Sequence, residues 1–456
     1  MSRGALVLLI VVASLGAYLW LVELPGERTR VESEATAKQL VDFKESDVQG
    51  FIIHSSEGDI EIRRNADGTW HILKPREMEA DPQSVDEFLR ALILARVSRV
   101  VDDTGSDLAS YGLASPSVTV TIRLASGTQV LRFGDPGPLS SSLYASRASG
   151  PQVLLTSIAG HQIMSKSLQD FRRKRVFEFD RDKVTRMKIT TPQEIIVLYK
   201  EGHGDKADWK IKTPVETAAD QPEVRSLLFA LQDLKAQGFL DDPKDRRGKI
   251  SKLGTPLVAL TIHEAEADRT LTLYQDARTK TLYVETTEQE PLYVLSSAAK
   301  DIPKSLFVLR NKQLIAAEPD RVKTLVVKQG NQEYSLTHEG NDWLIDGDPG
   351  AKADGARINM FVSRTVRLQA ERIVTDKPAN LHLYGLQPPE AELIAADAQG
   401  KVLGRVALGK QTGGLAYAQG SAMPGIFEVR ADILNDLPKK EELKAHPPPA
   451  TTGGTR

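Results

Sequence analysis

Eight histidines, a recurrent aspartate and one serine-rich loop are the groups in this chain whose types could support catalysis or metal binding. A metal centre needs imidazoles and carboxylates at spacings that converge on one ion, such as H-x-H or H-E-x-x-H. His54, His71, His161, His203, His263, His338, His382 and His446 are scattered, and none falls in such a spacing. They read as surface or half-buried neutral imidazoles. The loop Gly134-Asp135-Pro136-Gly137-Pro138-Leu139-Ser140-Ser141-Ser142 offers hydroxyls with no base nearby in sequence. Asp135 gives way to Lys410 at the corresponding point of a later repeat, so the stretch reads as a hairpin loop. No G-x-S-x-G turn, Walker A loop or G-x-G-x-x-G is present. The absence of cysteine removes thiol nucleophiles, disulfides, thiolate zinc, iron–sulfur clusters and a lipid-modified N-terminal Cys. The sequence therefore assigns no catalytic residue, no metal ligand and no cofactor.

The recurrent aspartate leads to the organisation of the chain. Asp81, Asp220 and Asp354 are separated by 139 and 134 residues. Trp70, Trp209 and Trp343 show the same two intervals, as do Tyr144, Tyr283 and Tyr417, while Pro116, Pro256 and Pro389 give 140 and 133. Four landmarks in one register mean a tandem triplication, and each copy is long enough to be a domain. The 456 residues, divided by a typical domain of about 150, also give three. The junctions agree: Lys38-Gln39-Leu40 recurs as Lys312-Gln313-Leu314, with Lys174-Arg175-Val176 between them.

Each copy reads as an apolar strand (Gly50 to Ile53), then a hairpin alternating in period two through Ile60-Glu61-Ile62 and Trp70-His71-Ile72. The Trp and the Ile two residues on share a face. Asp81-Pro82 then opens an amphipathic helix with Val85, Phe88, Leu89, Leu92 and Ile93 on its buried stripe. Asp at this place reads as an N-cap in preference to a catalytic acid, with Pro82 at the first helical position and Glu223 completing a capping box with Asp220. Gly112 and Gly385, in Tyr111-Gly112-Leu113 and Tyr384-Gly385-Leu386, supply positive-φ turns that the Pro terminates; the second copy has lost the Tyr-Gly pair. Four more strands and a closing helix up to Phe171 complete an α+β unit, a mostly antiparallel sheet plus two helices.

Two charge features bear on location. Ala5 to Val22 carries eighteen residues without a charge, roughly 27 Å as a helix against a ~30 Å hydrocarbon core. Its length and the lack of a small-residue cut site read as an uncleaved anchor with Arg3 inside, in place of a cleaved signal peptide. Arg172-Arg173-Lys174-Arg175 is a basic run at the first junction. It reads as a solvated helix end, or as a contact for anionic lipid or a partner. A net charge of −2 excludes a nucleic-acid binder that relies on whole-chain positive charge. The expected layout is a cytoplasmic N-terminus at 1–4, a transmembrane signal anchor at 5–22 and a linker at 23–39. Modules follow at 40–175, 176–312 and 313–440, then a disordered tail at 441–456.

The set Trp70, Pro75, Asp81, Tyr111-Gly112-Leu113, Pro116, Gly134 and Tyr144, with its counterparts, resembles the domain-of-unknown-function 4340 family over roughly residues 40 to 440. The second copy departs most, with Tyr274 near where Gly134 and Gly409 fall. The resemblance implies tandem modules behind an N-terminal membrane anchor and an accessory envelope role beside gliding-motility-type ABC-transporter components; it implies no catalytic residue or cofactor. The expectation is a non-enzymatic scaffold or binding protein of the bacterial inner membrane, single-pass, with the bulk of the chain extracytoplasmic. Its expected partners are the membrane and an ABC-transporter permease or ATPase, with no nucleic acid. Capture of a lipid, glycan or peptide between modules is the second reading, and a hydrolase the third.

Overall fold

The computed structural model describes residues 39–443 apart from 159, 203, 205–206, 288–290, 296–301 and 303. The apolar run at 5–22 and the tail from 444 lie outside the described residues. Among those described, no helix is long and apolar enough to cross a membrane. The chain divides into two compact units, Met1–Lys174 with one module and Arg175–Arg456 with two.

In module 1 the strands are β1 (Val48–Ser55), β2 (Gly58–Arg64), β3 (Trp70–Lys74), β4 (Met78–Glu79), β5 (Val97–Asp102), β6 (Val118–Leu124), β7 (Gly127–Pro136), β8 (Leu143–Arg147) and β9 (Val153–Thr156). They form one antiparallel sheet in the order β4-β3-β2-β1-β6-β7-β8-β9-β5. Two meanders, β1 to β4 and β6 to β9, join along β1 and β6. Modules 2 and 3 repeat this order strand for strand.

Helix α1 (Pro82–Leu94) connects one edge strand, β4, to the other, β5. Nine strands about 4.8 Å apart would place the edges of a flat sheet ~38 Å apart. A 13-residue helix spans only about 20 Å, so the sheet must curl to let the helix link its edges. The helix buries Val85, Phe88, Leu89 and Leu92 against the inner face. The core of module 1 is an aromatic group: Phe51 of β1 lies 5.1 Å from Phe88, 5.9 Å from Phe171 and 6.3 Å from Trp70 between ring centroids. Phe51 pairs in register with Ile62 and Ile122, which carries the apolar row across the centre of the sheet.

The α+β expectation of a sheet plus two helices is corrected to a mostly β module, with one long helix in modules 1 and 3 and a second in module 2. Among the described residues the closing segments make single turns, at Gly160–Ile163 and Leu168–Phe171 in module 1 and at Leu306–Leu309 in module 2, the last two each followed at once by an extended residue, Arg172 or Arg310. The sequence reading also lacks β4 and β5. The strand β5 is partly exposed along its length and bulged against β9, so it shows no clean alternation.

The landmarks fall where local chemistry needs them. Trp70, Trp209 and Trp343 are buried, as are Ile72, Ile211 and Ile345 two residues on. Each Trp sits at the rim of its core beneath its cross-strand partner: Arg64 at 5.5 Å, Lys200 at 5.4 Å and His338 at 5.0 Å. Asp81 accepts the Ser84 N–H, Asp220 the Glu223 N–H, and Asp354 the N–H groups of Ala356 and Arg357. The reciprocal half of the expected capping box is replaced: the Glu223 carboxylate instead takes Lys304 Nζ at 2.5 Å.

Within the second unit, modules 2 and 3 are joined through Arg310, which is 1 % exposed. Its guanidinium pairs with Asp376, donates to the Pro424 carbonyl at 2.8 Å and lies 5.1 Å from the Phe427 ring centroid. Module 3 runs on to Leu443, which is fully buried in its core.

Replacing Asp354 by Ala should destabilise module 3 by about 1 kcal/mol, with Asn nearly neutral because it caps as well. Trp343→Ala should cost about 3–5 kcal/mol. Urea unfolding of the full chain, read module by module through hydrogen exchange, tests both. Equal losses for Ala and Asn at 354 would refute the capping role.

Candidate interaction site

The repeated polar residues do not converge on a cleft. Each Asp side chain is turned to its helix, and among the described residues no group of three or more His, Asp or Glu is placed to hold a metal ion. Of the histidines, His54 pairs with Asp59, His263 Nδ1 lies 2.7 Å from Asp268, and His338 covers Trp343. His203 and His446 lie outside the described residues. In the Gly134–Ser142 loop, the Ser142 hydroxyl donates to the Leu139 carbonyl at 2.7 Å, as a turn hydroxyl does.

The basic run Arg172 to Arg175 follows the single turn Leu168–Phe171 and is divided between buried and exposed positions. Arg172 is 5 % exposed and bridges to Ala80 beside the helix cap, Arg173 is paired with Glu79, and Arg175 bridges to Lys235. Lys174 is half-buried. The run is the extended exit from the module: Arg172 and Arg173 are committed to the fold, while Lys174 is half-buried and Arg175 exposed.

The largest difference among the three copies lies on the outer face of the sheet, around Tyr144, Tyr283 and Tyr417. In modules 1 and 3 a short turn closes on Gly112 or Gly385, both at φ +68. Its tyrosine then packs on the repeated one, with ring centroids 4.9 Å apart for Tyr111 and Tyr144 and 5.1 Å for Tyr384 and Tyr417. The turn presses on the sheet so closely that a Cβ at Gly134 would lie 2.1 Å from the Tyr111 carbonyl oxygen, and one at Gly409 2.2 Å from that of Tyr384. Pro116, Pro256 and Pro389 are half-buried just before the next strand of their modules.

Module 2 carries a helix here instead. After α2 (Gln221–Gln232), helix α3 (Pro243–Leu253) is opened by Asp242, which accepts the N–H groups of Lys244 and Asp245. With no turn pressing on the sheet, Tyr274 occupies the glycine position and pairs across the ladder with Tyr283. Burial pushes its phenol pKa up. Lys249 takes the place of the missing tyrosine: Nζ lies 4.5 Å from the Tyr283 ring centroid and 2.8 Å from Asp276 Oδ2. Asp276 also accepts the N–H groups of Arg278 and Thr279, so one carboxylate ties α3 to the neighbouring hairpin turn.

The Asx-type signature Asp242-Pro243 matches Asp81-Pro82 and was the available signal for α3. Its lack of any buried residue hides it from hydrophobic periodicity. The long helix of module 3, α4 (Gly355–Val366), is the counterpart of α1.

The bond to Lys249 and the two backbone N–H groups hold the Asp276 carboxyl well below the usual carboxylate range. A depressed folded pKa contributes stability that is complete above the unfolded value, about 4, and is lost as pH falls through the folded one. Hydrogen-exchange protection of residues 243–253 should therefore decline in acid well below pH 4. Lys249→Met should show the low protection already at neutral pH. Equal protection in the variant and the parent at neutral pH would refute the tie.

A family model described as Domain of unknown function (DUF4340) matches residues 70–208, 209–350 and 343–443. Each segment begins at a repeated tryptophan, so the matching unit is offset from the sheets, which begin at Val48, Val184 and Thr324. No curated protein matches. Among solved structures, the crystal structure of a DNA polymerase sliding clamp from Pseudomonas aeruginosa with ligand is similar at 6 % identity. That match covers 87 % of this chain and 94 % of that one with a TM-score of 0.13, too low to bear on fold or function. The three matched segments together span most of the chain, and the protein belongs to the DUF4340 family.

Proposed function

We propose that this chain is a non-enzymatic scaffold or binding protein of the bacterial envelope. It is held at the cytoplasmic membrane through residues 5–22, with its modules on the extracytoplasmic side, as an accessory component of an ABC-transporter-like complex. The observation that carries the reading is the use made of the repeated residues. Trp, Asp, Gly and Tyr recur because they build the module: the Trp closes the core rim, the Asp caps the helix, and the glycines admit a turn. Triplication of a reactive centre would repeat reactive groups, whereas here the repeated polar group is absorbed in capping. The transporter association rests on the family resemblance alone, and the membrane placement on the uncharged run Ala5 to Val22.

Ligand capture in a cleft is the second reading. It draws on a cavity of about 630 Å³ in module 1, lined by residues that include Gln39, Asp42, Gln129 and Arg147. That volume suits a small ligand. The junction of modules 2 and 3 offers less, because Arg310 fills it.

The full chain purified from native membranes in mild detergent should bring down a permease or ATPase subunit, and removal of residues 1–22 should release it from the membrane fraction. Recovery of the chain alone would count against the scaffold reading, and a lipid co-purifying at one per chain would favour capture.

A further inference from the structure

Helix α3 has no buried residue, yet eleven residues of module 2 are spent on it where the other modules use a short turn. A helix this short is marginal in water by itself. Lys249 and Asp276 hold it in place, and Ile250, Leu253 and Arg246 are the half-buried residues beside them. The opposite face is left to solvent with Lys244, Arg247 and Lys252 on it, all exposed. The hairpin turn fixed by Asp276 adds exposed Arg278 and Lys280. Lys280 stands at φ +60, a left-handed position that favours glycine or asparagine over a lysine. Among the described residues none of these five cations is held in an ion pair. The chain as a whole is slightly acidic, so this is a local concentration of positive charge.

We propose that the outer face of α3, with the Arg278–Lys280 turn, is a docking surface for an acidic, extended segment of a partner protein. The proposal rests on the scaffold reading and names the chemistry of one contact within it. Lys244 and Lys252 are eight residues apart, about 12 Å along the helix axis. Carboxylates at positions i and i+4 of an extended strand are about 13 Å apart, so a segment with acidic residues at alternate positions matches the stripe. A protein fits better than an anionic bilayer for two reasons. Asp242 and the exposed Asp245 lie within the stripe, where a uniform sheet of phosphates would be repelled and a patterned chain can avoid them. The helix also has no exposed large apolar side chain to insert between lipids. Charge reversal in module 2 is a local change, because none of the five side chains supports a core.

The test uses the full chain and a fluorescent peptide of alternating Glu and Ser, with the Lys-Ser peptide as control. The Glu-Ser peptide should bind, more weakly as salt rises, and the control should not. K244E/R247E/K252E should weaken binding about tenfold or more, and R278E/K280E by a smaller factor. Unchanged far-UV circular dichroism and melting would show that the variants are folded. Lys249→Met provides a second route, since loosening α3 should weaken binding without removing any outward charge. Equal binding by the triple variant and the parent overturns the proposal, as does no binding at low salt. Charge-dependent binding to phosphatidylglycerol vesicles without binding to the peptide overturns it in favour of a membrane contact. If the triple variant loses the peptide yet still recovers the parent's partner from native membranes, the docking surface fails for that partner and the scaffold reading stands. If neither protein recovers a partner while the peptide binds the parent alone, the surface stands and the scaffold reading fails.

Discussion

Each module is held together at one aspartate. The side chain of Asp81, Asp220 or Asp354 caps the helix, while its backbone N–H donates to the residue that closes the module: Phe171 at 2.8 Å, Leu309 at 2.8 Å and Leu443 at 3.0 Å. The preceding alanine in the first two copies donates to the carbonyl of the repeated Trp, at 3.0 Å from Ala80 and 3.1 Å from Ala219. Hairpin, helix and exit therefore meet within two residues. A curled sheet whose edges are linked by one helix has few ways to fix that helix, and the start of the helix is where the edge strand hands it over. The entry segment is tied at the other end: Leu40, Val176 and Leu314 donate to Ala95, Leu234 and Leu368, where the helix has ended. The chain enters and leaves each module at opposite ends of the same helix.

That arrangement explains which parts could change between copies. The inner face must keep its volumes near constant, and Phe51, Met187 and Leu325 occupy equivalent central positions with equivalent register partners. The outer face is constrained only where something packs on it. Gly134 and Gly409 are required by the pressing turn; once module 2 replaces the turn with a helix, the glycine has no reason to remain and Tyr274 fills the space. The loss of Tyr-Gly and the gain of Tyr274, two departures in the sequence, are therefore one structural change. The junction shows the same economy. The residue after the closing turn is Arg172 in one copy and Arg310 in another, each buried, and Arg310 extends its guanidinium into module 3.

What the sequence revealed and what it concealed follow from how local each determinant is. An N-cap, a core-rim Trp and a positive-φ glycine are set by a few neighbouring residues, so spacing alone placed them. The strand β5 is set by a partner more than fifty residues away, β9, and with Arg99 and Asp102 among its residues it offers no alternating pattern. The closing helix expected up to Phe171 is a single turn at Leu168–Phe171, where the chain passes at once into the extended exit. Helix α3 carries no apolar stripe, so only its Asp-Pro start was visible. The run Arg172 to Arg175 shows the limit of reading charge without conformation. Four adjacent charges resemble a solvated patch, whereas an extended strand sends alternate side chains to opposite sides, and Arg172 is buried while Arg175 is exposed.

The exposed positive charge of the molecule therefore does not simply follow the density of basic sequence. In the exit strand Arg172 is spent on burial and Arg173 on Glu79, which leaves Lys174 half-buried and Arg175 exposed. Cations on α3 cost the module nothing, because the helix contributes nothing to the core; the single lysine that does structural work, Lys249, has its own counter-ion in Asp276. Triplication makes this separation possible. Two copies that keep the turn show what the fold needs, and the copy that has exchanged it shows what the fold can spare. A surface that has been freed from folding, made into a helix and supplied with exposed charge is suited to recognition, and its position on the outer face leaves the core and the capping aspartate untouched.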